Sequence, residues 1–366
     1  MKQLVTKNDR TPVYTWNRAG VNTAERVLNA PESGVFGGKA NLEIPEALRC
    51  FGDFEHADIA ALGAGYFIGP ETSAFFDANA NRRHHIQIPE GTKIETPFVL
   101  ELCLSSADSI LMDDVLIEAR AGSEATVVLK YRSEPGSGAE HTGRLRLLVE
   151  RGAVLRLVKV QNLAEDAMHT DAVEGLVRGN GRVEILLAEL GARSAFSSCN
   201  LALEGAGSSA HLDVVYLGTG ERALDMSYRI VQSGVKTDAR IRARGILQDK
   251  SRKILRDTLD FVSGAAGSKG REEEGVLLLS PEAHNISLPL LLCAEDDVEG
   301  EHAASAGRLD EKLLFYFMTR GIGETEAKRL LARAALSVVL ENAPDARVRD
   351  EILETVDASI GQEAGL

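Results

Sequence analysis

Short apolar runs alternate with glycine-bearing turns along the middle of the chain. Residues 118–129 (EARAGSEATVVL), 149–158 (VERGAVLRLV), 177–187 (VRGNGRVEILL) and 203–215 (LEGAGSSAHLDVV) each read strand, turn, strand. The runs TVVLKY, LRLVKV, VEILLAEL and LDVVYL carry Val, Ile, Leu and Tyr at strand-like spacing. The marking glycines, Gly122, Gly152, Gly181, Gly207, Gly234 and Gly264, recur every 26 to 30 residues. A nearly fixed period is the mark of a stacked repeat. A unit of two short strands cannot bury its own faces, but a stack of them encloses one core. The pattern predicts a β-helix or β-solenoid. A β-sandwich is the alternative that closely spaced turns would also allow.

The ends follow a different pattern. From Asp310 the apolar positions take helical spacing, with Asp310 as N-cap and Gly321 where a terminating glycine belongs. A second helix is expected in GETEAKRLLARAALSVVLENAP, with Pro344 beyond its end, and a third in DARVRDEILETVDASI. Near the start, TAERVLNA (23–30) and IPEALRCF (44–51) read as short helices, and GAGYFIGP (63–70) as a loop or short strand. The expected division is a mixed segment over 1–80, a β-helix over 81–307 and a helical domain over 308–366.

Composition narrows the partners. The 366 residues carry a net charge of −14, which disfavours nucleic acid and anionic membranes. Mean hydropathy is −0.09, and no apolar run is long enough to span a bilayer. The opening MKQLVTKNDR lacks the apolar stretch of a secretory signal, so the expected location is cytoplasmic. Cys50, Cys103, Cys199 and Cys293 lie too far apart for a C-x-x-C site.

The stretch GSKGREEEGVLLLS (267–280) sets Glu272, Glu273 and Glu274 at the mouth of an apolar run. A solvated turn guarding a buried strand is the ordinary reading of such a charge run. GAAGSKG (264–270) lacks the order of a phosphate loop, so no nucleotide is expected on this chain. Glu295, Asp296, Asp297, Glu299 and Glu301 would suit a carbohydrate-cleaving β-helix, which needs two acids. Aromatic residues, the usual sugar platforms, are only 5%, and Trp16 is the single tryptophan. His302 falls near the end of the repeats and reads either as a ligand or as a turn residue capping a carbonyl. His84 and His85 read as the entry to a strand.

The segment AEDDVEGEHAASAGRLDEKLLFYFMTRGIGETEAKRLL resembles the C-terminal signature of the SufB/SufD family of iron–sulfur cluster assembly proteins. The residues that carry the likeness are Asp296–Asp297, His302, Ser305–Ala306–Gly307, Asp310, Leu314–Phe315–Tyr316 and Arg320–Gly321–Ile322. It continues upstream through LLLSPEAHNISLPLLL and the repeats, with a faint echo at Tyr14–Thr15–Trp16–Asn17. The resemblance implies a right-handed parallel β-helix with helical segments at its ends. It implies a scaffold, not an enzyme, that holds a transient iron–sulfur cluster, receives sulfur from a donor protein and binds a SufC-type ABC ATPase through its C-terminal helices. Glu274 stands where the SufB branch has a cysteine, Ala303 where it has an acid, and Gly300 where the SufD branch has a cysteine. The implied metal ligands are then His302 and Glu274, with Glu301 and Glu273 as exchangeable groups. Cys199 resembles the SufB cysteine thought to receive sulfur. A chain mixing both branches suggests a homodimer joined through the β-helix end, and a SufD-like accessory subunit with a separate SufB partner is the alternative.

Overall fold

The computed structural model describes residues 2–8, 11–13, 21–32, 34–55, 57 and 69–361. Strands β1 (Gln3–Asn8) and β2 (Ala24–Asn29) form an antiparallel pair. β3 (Lys39–Glu43), β4 (Arg49–Phe51) and helix α1 (Pro70–Asn79) follow. Sixteen further strands then alternate between two sheets. One sheet holds β5 (Arg82–Ile88), β7 (Ile110–Ala119), β9 (Glu140–Val149), β11 (Met168–Val177), β13 (Ser194–Leu203), β15 (Ala223–Gln232), β17 (Arg252–Phe261) and β19 (His284–Cys293). The other holds β6 (Phe98–Leu104), β8 (Glu124–Ser133), β10 (Val154–Asn162), β12 (Arg182–Glu189), β14 (Ser209–Gly218), β16 (Asp238–Leu247), β18 (Ser268–Leu278) and β20 (Val298–Arg308).

Within each of these sheets, successive strands pair in parallel, as a β-helix requires. β3 and β4 are the exceptions; they add antiparallel to β6 and β5 and finish the N-terminal edges. At the other end β19 and β20 are the last strands of their sheets.

Alternation along each strand builds the interior. In β10, Leu155 and Leu157 point into the lumen while Arg156 pairs outside with Glu124 and Glu184. The same phase repeats from rung to rung and encloses one continuous apolar core. The turn glycines have two separate uses. Gly122, Gly152, Gly207 and Gly264 take positive φ, where a side chain would be strained. At the two other marked turns, Asn180 and Lys236 take that position instead. There Gly181 and Gly234 are needed for space: an added Cβ would lie 2.7 Å from the Arg178 carbonyl oxygen and 2.5 Å from that of Gly205, respectively.

The C-terminal helices are α2 (Glu311–Thr319), α3 (Glu324–Leu340) and α4 (Ala346–Ser359). Asp310 caps α2 by accepting from the Lys312 N–H at 2.8 Å, and Gly321 follows with φ 83°. Asp345 caps α4 in the same way. α3 and α4 have no separate core. Leu336, Val339, Ile352 and Val356 pack on Val128, Val158, Leu186 and Val215, which are outward residues of the β20-containing sheet. α2 buries no residue.

Two N-terminal expectations are corrected. Residues 23–30 contain a strand, not a helix, because Ala24, Arg26 and Leu28 alternate as the buried side of β2. Residues 44–51 form a turn followed by β4, not a helix. Tyr14, Thr15, Trp16, Asn17 and most of GAGYFIGP lie outside the described residues. No helix among the described residues is long and apolar enough to cross a membrane.

Candidate functional site at the open end of the β-helix

The three glutamates are not a solvated turn. Strand β18 begins at Ser268, so they stand in mid-strand, and alternation sends them to different sides. Glu272 and Glu274 are buried in the lumen, whereas Glu273 faces outward to Arg244 and Arg271. Burial pulls the Glu273 carboxyl up, but the Arg244 hydrogen bond and charge outweigh it and the net shift is downward.

Glu274 is fully engaged. The Lys253 ammonium donates to its Oε1, and the Tyr216 hydroxyl donates to the same oxygen at 2.9 Å. Tyr216 reaches two strands along the sheet because Gly245 leaves the space; a Cβ there would fall 1.9 Å from Tyr216 Cε2. Lys253 also donates to Asn285 Oδ1 at 2.9 Å, Ser287 Oγ at 3.0 Å and the Ile286 carbonyl at 3.3 Å. Burial lowers the Lys253 pKa, and Glu274 offsets this in part.

Glu272 has a different environment. It is 1% exposed, and neither carboxyl oxygen has a hydrogen-bond partner at normal geometry. Across the lumen lies Asp257, 3% exposed, with Oδ1 also unpartnered. Gly270 fixes which residues face each other. A Cβ on it would meet Phe261 and Leu259, so two residues further along β18 Glu272 comes level with Asp257. Burial and the facing Asp257 push the Glu272 carboxyl far above the usual range, against a smaller downward effect of the Leu259 backbone N–H, which approaches it without good hydrogen-bond geometry. Asp257 is raised by burial and by Glu274, against the opposing charge of Lys253.

His302 lies in β20, not in a turn, and is exposed. Its Cα partner on β18 is Glu272, so the two share the lumen phase on adjacent strands. Glu274 is offset from His302 by two residues along the strand. Glu301 takes the outward phase and comes within 3.8 Å of Arg271. The structure therefore brings His302, Glu274, Glu273 and Glu301 onto two neighbouring strands at one end. It does not bring Cys199 there. Cys199 is buried in β13, two strands before β17, or about 10 Å at the usual strand spacing. Burial drives its thiol well above the ordinary range, against a smaller opposing effect of Lys159. Among the described residues no three side chains from His, Cys, Asp and Glu converge on one point.

Several buried polar groups carry no mark in the sequence motifs. Tyr131 donates to Asp113 Oδ2 at 2.8 Å, and His141 Nε2 bonds Asp113 Oδ1 at 2.8 Å. The His141 and His169 Nδ1 atoms are also 2.8 Å apart, and Lys159 binds Asp171. Gly143 leaves room for Asp113 and Asp171. The usable signal was phase: Lys159 sits two residues after Leu157, on a lumen position. His84 and His85 stand within β5 rather than at its entry, and His85 Nε2 meets Glu118 at 2.9 Å. Of the carbohydrate-enzyme acids, Glu295 accepts from the Gly264 N–H at 2.9 Å and stabilises a turn.

Comparison with known proteins agrees with this architecture. The family described as SUF system FeS cluster assembly, SufBD core domain, matches residues 102–335. The iron–sulfur cluster assembly protein SufD of Bacillus subtilis is 27% identical over 290 residues, covering 79% of this chain and 66% of the relative. An iron–sulfur cluster assembly SufBD family protein of Staphylococcus saprophyticus is 24% identical over 261 residues, covering 71% of this chain and 56% of the relative. The chain thus spans somewhat over half to about two thirds of these curated relatives. The family match extends over more than half of the chain, from β6 into α3, so this protein belongs to the SufBD family of the SUF iron–sulfur cluster assembly system.

Proposed function

We propose that this chain is a scaffold on which a nascent iron–sulfur cluster is built and handed on, in complex with a SufC-type ABC ATPase. ATP hydrolysis belongs to that partner, and the chain itself performs no catalysis. The observation that carries the reading is the open end of the solenoid. β19 and β20 are full-length terminal strands, and His302 and the glutamate run lie there beside an exposed edge. Unpaired strand edges favour pairing with another chain, so a second copy joins here across a two-fold axis.

His302 and Glu274 are the proposed cluster ligands, with Glu301 and Glu273 as exchangeable groups. Imidazole and carboxylate bind iron less firmly than thiolate, which suits a cluster that must leave. His302 is free to ligate as it stands, whereas Glu274 must first be released from Lys253 and Tyr216. Cys199 serves as an interior sulfur carrier only when the lumen opens, since burial keeps its thiol protonated. The location is cytoplasmic, and residues 1–80, 81–307 and 308–366 act as entry segment, scaffold and docking segment.

A SufD-like accessory role is the second reading, favoured by the Bacillus subtilis relative and by the absence at Glu274 of the SufB-branch thiol. Family membership displaces the carbohydrate-enzyme alternative. Anaerobic reconstitution of wild type, His302→Ala and Glu274→Ala tests the scaffold, with bound iron and sulfide counted in each. Wild type holds a cluster and both variants lose most of it. Equal cluster content in all three would remove the ligand assignment, and an empty wild type would favour the accessory role.

A further inference from the structure

One pair of side chains at the open end of the solenoid lacks most of its hydrogen bonds. Asp257 and Glu272 face each other across the last closed rung, nearly without exposure, with Glu272 Oε1, Oε2 and Asp257 Oδ1 unpartnered. A buried carboxyl without a hydrogen bond destabilises a fold, and two face to face do so doubly. The neighbouring cation relieves them only in part: the charge of Lys253 acts on Asp257, but its hydrogen bonds go to Glu274, Asn285 and Ser287. On the rung above, His302 is the strand partner of Glu272 and Pro289 that of Asp257. A carboxyl pair is thus roofed by an imidazole that is open to solvent.

We propose that Asp257 and Glu272 bind a divalent first-row metal ion, with His302 closing the site from the rung above, so that ferrous iron is loaded here before sulfide arrives. Two carboxylates balance the charge of the ion, and oxygen and imidazole donors suit Fe(II) or Mn(II). The chain supplies two ligands as it stands, and water or a rotated His302 completes the shell. The identity of the ion rests on the scaffold reading, but the site does not. It is also distinct from Glu274, whose carboxylate already has its partners.

The test is metal binding without sulfide or partner protein. Anaerobic equilibrium dialysis measures Fe(II), and the electron paramagnetic resonance signal of Mn(II) provides a second probe. Wild type and Glu184→Gln, which alters an outward carboxyl on β12 away from the site, bind one ion with matching affinity. Glu272→Gln and Asp257→Asn lose about tenfold or more, the scale on which supporting groups tune metal affinity. Both amides fold about as stably as wild type, because each keeps the shape of a carboxyl that burial already pushes toward its neutral form. Wild-type affinity in both variants overturns the proposal, and so does a loss of stability in either, which would make the carboxyls structural. A wild type that binds Fe(II) but builds no cluster defeats the scaffold reading alone. One that builds a cluster yet binds no Fe(II) beforehand defeats this inference alone.

Discussion

Replacing Lys253 with Met should loosen the open end of the solenoid selectively. The ammonium is wholly buried and holds Glu274 on β18 together with Asn285, Ile286 and Ser287 on β19. Methionine keeps the bulk and removes the charge. Glu274 is then left with the Tyr216 hydroxyl alone. Breaking a buried pair by removing one partner costs about 3–5 kcal/mol. The lost bonds to β19 add roughly 1 kcal/mol each, and relief of the ammonium's own desolvation returns part of this. A net loss of about 4 kcal/mol is expected. The second half of the test is Lys253→Met with Glu274→Leu. An apolar replacement of the whole pair is close to neutral, so the double variant should recover most of the pair's penalty and keep only the loss of the bonds to β19, about 2 kcal/mol below wild type. Urea unfolding gives the global values. Solenoids also open from their ends, so amide hydrogen exchange across β17, β18 and β19 shows where the loss falls. A single variant within about 1 kcal/mol of wild type would refute the reasoning, as would a double variant showing the sum of the single losses.

Other outcomes follow from named groups. Burial, helped by the Arg82 charge and opposed by Asp113, lowers His84 from 6.5 to about 4, and its Nδ1 lies 3.9 Å from Cys50 Sγ. A histidine depressed in the fold is protonated first in the unfolded chain, so stability falls as pH drops from 6.5 toward 4, by about 3 kcal/mol at most. Urea midpoints should show this acid arm, and His84→Gln should flatten it; an unchanged arm would contradict the assignment. On α2, Phe315, Tyr316 and Met318 are 68%, 53% and 51% exposed. Phe315→Ala with Met318→Ala should leave unfolding unchanged within about 0.5 kcal/mol but weaken capture of a SufC-type ATPase by about tenfold or more. Unaltered capture would send the docking surface elsewhere. Point substitutions are the better probe here, because deleting residues 308–366 would also uncover the apolar face beneath α3 and α4. Sedimentation of the chain with that ATPase should show two copies of each, and a strict one-to-one complex at micromolar concentration would count against pairing at β19 and β20.

The rungs were legible in the sequence because their period and their turns carry local chemistry, and the cap at Asp310 was legible for the same reason. The glycines were found at the right turns but not always for the right reason, since Asn180 and Lys236 tolerate positive φ in place of Gly181 and Gly234. The failures came where side-chain phase mattered more than residue type. TAERVLNA is rich in helix formers, yet it forms an edge strand whose inward side includes Arg26, lying 4.9 Å over the Phe196 ring. Read as a charge run, Glu272–Glu274 is a surface feature. Read by alternate positions, it is two lumen carboxyls and one exterior one, and only the fold shows that one of the two inner groups has an ammonium partner while the other faces a second carboxyl.

The unequal ends of the solenoid decide how large an assembly can grow. β3 and β4 are 5 and 3 residues long and run against their sheets, whereas β19 and β20 are 10 and 11 residues long and run with them. Copies joined end to tail would have to match long parallel strands to short reversed ones, so that contact does not propagate. Two copies joined tail to tail use up both available edges at once. The same stacking that, left open at both ends, would extend into a filament would stop at two copies in the tail-to-tail pairing proposed above.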